Sequence, residues 1–186
     1  MTKLPALCCL CLTLCILFAN GAAAEPADAW IVREGYFCTV SIRSDVDRDA
    51  LNQKIDTYRV DFGLTEKPDM RGQGAQDEIA YKLDLIFSKV QELLDMRPAK
   101  IHTAVKIYRL KEEVEGVYAE IFWENGTYAA FYTFKLNTLF ACEEAISAQV
   151  LAHEMAHCII DHYFGMPPPK KIAELIAQYA ELHLKE

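Results

Sequence analysis

Residues 151–165 read LAHEMAHCIIDHYFG, and no other stretch of the chain limits its fold as tightly. Two histidines stand four apart, with a glutamate directly after the first, inside a run of Leu, Ala, Met, Cys and Ile. A helix carrying that run is apolar around most of its circumference, so it belongs in an interior. Polar groups are costly to bury unless something satisfies them, and His153, Glu154 and His157 therefore need partners. On a helix, residues four apart lie about 40° apart around the axis and about 6 Å along it, so the two imidazoles point the same way. That is the spacing at which two histidines grip one Zn²⁺ at about 2.0–2.1 Å each. Glu154, about 100° round from His153, reaches a water on such an ion without being a ligand. This is the H-E-x-x-H pattern, in which the cation lowers the pKa of a water and the carboxylate takes its proton. The plainer alternative is a buried helix whose histidines are satisfied by ordinary hydrogen bonds.

A catalytic zinc takes three protein ligands and keeps one open position. Tyr163 and Ile160 stand where the metzincin spacing needs histidine and glycine, so the third ligand must come from elsewhere. His162 lies about 140° off the ligand stripe and reads as a solvated charge near a helix end. The closing segment KKIAELIAQYAELHL is a better source, because its polar residues Glu174, Gln178 and Glu181 fall on one narrow stripe. Pro167-Pro168-Pro169 forces a corner before it, and Gly165 can end the preceding helix in a left-handed conformation. From that corner His157 is about 12 Å back along one helix and Glu174 about 7.5 Å along the next, a difference a glutamate side chain covers. Glu181, about 18 Å from the corner, comes level with His153 and is the reserve candidate. Gln178 and Asp161 are placed to hold a ligand imidazole from behind.

The rest of the chain reads as a single α+β unit. YFCTVSIR, residues 36–43, has strand composition, and residues 47–58 suit a first helix. Ile79, Leu83, Ile86, Val90, Leu93 and Leu94 recur at helical steps over residues 76–96, with Pro98 closing that helix. Residues 101–108 alternate as a strand with one covered face, and residues 112–122 make a short helix. Asn125-Gly126 signals a turn, YAAFYTF (128–134) and residues 137–142 are strand material, and the helix of the opening motif starts near Glu144. The segment from Leu110 to Glu124 is read as an ordinary connection, with a lid over the site as the alternative.

The amino end resembles a secretory leader. Lys3 precedes an apolar run from Leu7 to Phe18, and Ala22 and Ala24 occupy A-x-A positions, which predicts cleavage after residue 24 and a single domain over residues 25–186. The same stretch is long enough for an uncleaved anchor, but the Asn20-Gly21 break and the small-residue end favour cleavage. A secreted or periplasmic product with no membrane attachment is the expectation. Loss of Lys3 leaves 18 basic and 27 acidic residues, a net charge of −9, which disfavours nucleic acid as partner. Cys38, Cys142 and Cys158 remain, and Cys38 with Cys142 is the pair to test as a disulfide, three free thiols being the alternative.

HEMAH, followed after sixteen intervening residues by Glu174 on the next helix, resembles the gluzincins, zincin-fold zinc metallopeptidases. The resemblance runs from Phe131 to about His183. It implies His153, His157 and Glu174 as zinc ligands, Glu154 as general base, and residues 128–134 as a sheet edge that pairs with an extended peptide or protein substrate. It also implies a small mixed sheet packed on the H-E-x-x-H helix and on a C-terminal helix that brings the third ligand. Many gluzincins carry an aspartate one turn past the ligand glutamate, where this chain has Gln178. Tyr163, Tyr179 and His183 are the candidates for stabilising the oxyanion. The chain is short beside the large members and resembles the minimal, secreted bacterial ones. Two functions follow: an exported zinc peptidase, or a non-catalytic, metal-containing peptide- or protein-binding module on the same fold. A structural protein without metal is the third reading.

Overall fold

The computed structural model describes residues 29–58 and 75–185, the side chains of the second segment from residue 78 onward; the expected leader, residues 1–24, lies outside the described residues. The elements are β1 (Trp30–Glu34), β2 (Cys38–Arg43), α1 (Arg48–Lys54), α2 (Ala75–Leu94), β3 (Thr103–Tyr108), α3 (Lys111–Phe122), β4 (Ala130–Thr133), β5 (Thr138–Cys142), α4 (Ala148–Tyr163) and α5 (Lys170–His183). The strands form one mixed sheet in the order β1-β2-β3-β5-β4. β2, β3 and β5 run parallel, while β1 and β4 pair antiparallel at the two edges. The mixed α+β expectation holds at this level. Among the described residues no helix is long and apolar enough to cross a membrane.

Period-two alternation sets the layers. Val40, Ile42, Val105, Ile107, Leu139 and Ala141 face a core built with Leu83, Ile86, Phe87 and Val90 of α2 and Leu151, Met155 and Ile159 of α4. Phe131, Phe140 and Cys142 face the other way and form a smaller core with Val114, Val117 and Tyr118 of α3. β5, covered on both faces, is buried at every position. α5 packs back on α4 and α2.

Several boundaries differ from the sequence expectation, each for a local reason. α2 stops at Leu94, before Pro98, because Asp95 turns left-handed (φ 50°) and Met96 N–H reaches back to Gln91 C=O at 3.1 Å. α1 ends at Lys54 rather than Tyr58, where Asp56 accepts from Tyr58 N–H at 3.0 Å and closes a turn. α4 starts at Ala148, not Glu144, because the Ser147 side chain accepts from Val150 N–H at 3.2 Å as its N-cap. It ends on Phe164 in an extended conformation (φ −90°, ψ 129°), so Gly165 is not used as a left-handed cap. β1 was not expected; its residues are half-buried or exposed and carry little periodicity.

The Cys38–Cys142 pairing is corrected. Cys38 sits beside Thr103 at one end of β3, whereas Cys142 sits beside Tyr108 at the other, a separation of about 16 Å at strand rise. All three cysteines are buried free thiols.

Leu151 is fully buried on the side of α4 away from its histidines. Leu151→Ala is expected to cost about 2–5 kcal/mol, measured as a lowered urea midpoint with an unchanged slope.

Candidate metal centre and its cleft

The β4–β5 hairpin places the site. Its reversal runs through a single 3₁₀ turn, residues 134–136, and through Asn137, which is left-handed at φ 47°. Asn137 fixes that turn by donating its Nδ2 to His102 C=O at 2.7 Å, while its own carbonyl accepts from the Thr103 hydroxyl at 2.8 Å. β4 therefore lies outside β5 and directly above α4. Cys142 N–H donates to Ala129 C=O, so the backbone of Ala129, Phe131 and Thr133 faces β5, and that of Ala130 and Tyr132 faces the open edge. There Tyr132 N–H donates to Glu154 Oε2 at 2.8 Å.

His153 and His157, on the polar stripe of an otherwise buried α4, bring their Nε2 atoms within 3.3 Å of each other. Glu174 comes down from α5 with Oε1 3.3 Å from His153 Nε2 and Oε2 3.5 Å from His157 Nε2. Glu181, two turns on, accepts from His153 Nδ1 at 3.0 Å. That bond puts the proton of a neutral ring on Nδ1 and leaves Nε2 as a lone pair. An imidazole lone pair, a second imidazole nitrogen and a carboxylate then converge on one point, which is favourable only around a cation or a shared proton.

The spacing fits zinc. Donors at about 2.0–2.1 Å in a tetrahedron lie about 3.3–3.4 Å from each other; the two imidazole nitrogens stand 3.3 Å apart, and each has a different Glu174 oxygen beside it, Oε1 at 3.3 Å from His153 Nε2 and Oε2 at 3.5 Å from His157 Nε2. His153, His157 and Glu174 are also the one group of potential metal-binding side chains that converges among the described residues. Two histidines and a carboxylate suit a borderline cation and leave a fourth position open.

An open cleft of about 470 Å³ leads to these groups. His153, Glu154, His157 and Glu174 line its floor, Ala130 and Tyr132 of β4 one side, and Lys170 and Ala173 of α5 the other. Tyr118 and Phe122 of α3, with Tyr128 and Phe131, close one end. The segment read as an ordinary connection thus contributes a wall. Its signal in the sequence was the Tyr118–Phe122 pair four apart, followed by Asn125-Gly126 and Tyr128.

Electrostatics mark Glu154. Burial pushes its carboxyl up to about 7, helped by the nearby Glu174 and Glu181 and opposed by His153 and the Tyr132 N–H. Burial lowers His157, with His153 acting in the same direction. Asp161 is raised, chiefly by burial.

The structure does not bring every expected residue to the site. Gln178 is exposed, and neither it nor Asp161 bonds a ligand ring; Glu181 fills that role instead. His162 turns its Nδ1 to Cys158 C=O at 2.9 Å, away from the cluster. Tyr179 stacks on His183 beside a separate groove with Leu93 and Ile172, and Tyr163 packs on Phe164, so none of the three oxyanion candidates lines the cleft. Among the described residues, Lys170 is the one lysine or arginine that lines the cleft. No family model, curated protein sequence or solved structure matches the chain.

Two outcomes follow for the metal-free protein and its ligand set. Glu154 keeps its proton in the folded state up to about pH 7 but loses it near 4.5 when unfolded. The unfolded chain therefore holds fewer protons across that window, and stability falls as pH rises through it. His157, lowered in the fold, acts in the opposite sense, so the Glu154 contribution is the difference between wild type and Glu154→Gln. In chelator, the wild-type melting temperature should drop relative to the variant between pH 5 and pH 7.5. Glu181→Gln should weaken zinc binding by about 10- to 100-fold, read by competition with a chromophoric chelator, without unfolding the protein.

Proposed function

We propose that the chain is a metal-dependent hydrolase of zincin architecture. Within that class we assign it as a small, exported zinc peptidase of gluzincin type, with His153, His157 and Glu174 as ligands and Glu154 as general base. One observation carries this reading: two imidazole nitrogens 3.3 Å apart, each with one Glu174 oxygen at 3.3–3.5 Å, stand beside an intact glutamate and below an open strand edge. A metal-free structural protein has no use for that convergence, and a binding module has no use for Glu154. The leader-like amino end supports a secreted or periplasmic location.

Zinc bound there would supply a Lewis acid that polarises the scissile carbonyl and acidifies a water. The remaining work belongs to the chain. Glu154, held through Oε2 by the Tyr132 N–H, lines the cleft. As general base it takes a proton from the attacking water and returns it to the departing amine nitrogen. Glu181 fixes the His153 ring so that Nε2 faces inward. The outward-facing backbone of Ala130 and Tyr132 offers a strand edge on which an extended peptide can be aligned. Lys170, at the opposite wall, is the cation available to a developing oxyanion or to a substrate carboxylate.

Glu154→Gln tests the proposal. The variant should retain one zinc per chain by elemental analysis and lose about 10²- to 10⁴-fold in peptide cleavage. Unchanged cleavage would dismiss Glu154 as base; wild-type protein without stoichiometric zinc would dismiss the enzyme.

A further inference from the structure

The aromatic end of the cleft has no part in the chemistry above. Tyr118 lies 4.5 Å from Phe122, 4.2 Å from Tyr128 and, edge-on, 5.2 Å from Phe131, measured between ring centroids. Phe131 stacks on Phe140 at 4.9 Å, which roots the group in the small core beneath α3. Phe122 and Tyr128 nevertheless keep 41% and 37% of their surface exposed. The rings of Tyr118, Phe122, Tyr128 and Phe131 together line this end of the cleft.

Two features fix these rings in place. A Cβ at Gly126 would collide with the Tyr128 ring, so glycine there lets that ring lie against the loop and meet Tyr118. At the other end of α3, Glu113 pairs with Arg43 and accepts from Leu110 N–H at 3.0 Å, and Glu144 accepts from Lys111 N–H at 3.0 Å.

We propose that Tyr118, Phe122 and Tyr128 form a subsite for a bulky apolar side chain, aromatic or leucine-sized, on a peptide extended along β4. This deepens the peptidase reading and rests on it. The rings share one cleft with Glu154 and with the open edge of β4, which decides the occupant. Tyr128 precedes Tyr132, the residue bonded to Glu154, by four positions. At about 3.4 Å of strand rise per residue those four positions span about 14 Å, so a side chain on the shelf belongs three or four residues from the bond being cut. Burying a phenyl or isobutyl group there stabilises the complex where a methyl group does not.

The test uses zinc-loaded Glu154→Gln protein and two capped peptides that differ only in Phe or Ala at one position. Binding is followed by fluorescence of Trp123, which adjoins Phe122 and is 92% exposed. The Phe peptide should bind about tenfold or more tightly than the Ala peptide. Adding Phe122→Ala, or Gly126→Ala to displace Tyr128, should bring the two affinities together while circular dichroism and melting temperature stay near the parent. Equal affinities in the parent, no binding of either peptide, or a preference that survives both substitutions overturns the subsite. Wild-type cleavage of the same peptides is scored separately: a preference in binding without cleavage keeps the subsite and removes the hydrolase.

Discussion

The bond from Tyr132 N–H to Glu154 Oε2 joins the sheet to the helix that carries the two converging histidines, and the rest of the site is arranged around it. It requires β4 to be an outer strand, because a strand paired on both sides has no amide to spare. It requires α4 to run directly beneath that strand, which the burial of Leu151, Met155 and Ile159 against the sheet enforces. With those two conditions met, His153 and His157 have one direction in which to point. Helix α5 then needs only to return along α4 for its carboxylates to arrive.

A buried helix with a polar stripe is destabilising alone and tolerable in company. The side chains of His153, Glu154 and His157 come out of water together and are satisfied by two elements: His153 and His157 by Glu181 and Glu174 of α5, and Glu154 by β4. Removing α5 would strand two imidazoles facing each other. The C-terminal helix is thus part of the folding of the site and not an appendage to it.

Much of this was legible in the residues. The H-E-x-x-H run inside an apolar helix located α4, and axial distance from the proline corner singled out Glu174. Gln178 was misplaced for a geometric reason. Glu174 and Glu181, seven apart, differ by about 20° around the helix, whereas Gln178 lies about 60° from Glu181. The face of α5 that meets α4 follows the seven-residue step. Tyr163, Tyr179 and His183 were plausible by sequence proximity alone, but their directions depend on tertiary packing. The aromatic wall was harder still to read, since Tyr118 and Phe122 on a short helix look like any amphipathic pair until the β4–β5 hairpin brings Tyr128 and Phe131 beside them.

Lys170 stands four residues before Glu174, a spacing at which the two could pair along α5, yet Glu174 turns to the imidazoles. Glu154 and Glu174 thus line one recess with Lys170, while Glu181 stands behind the His153 ring. Carboxylates so placed concentrate field lines in the recess, attracting cations and repelling anions from a distance. Ionic strength would accordingly govern how fast the recess fills, separately from how tightly it holds what enters.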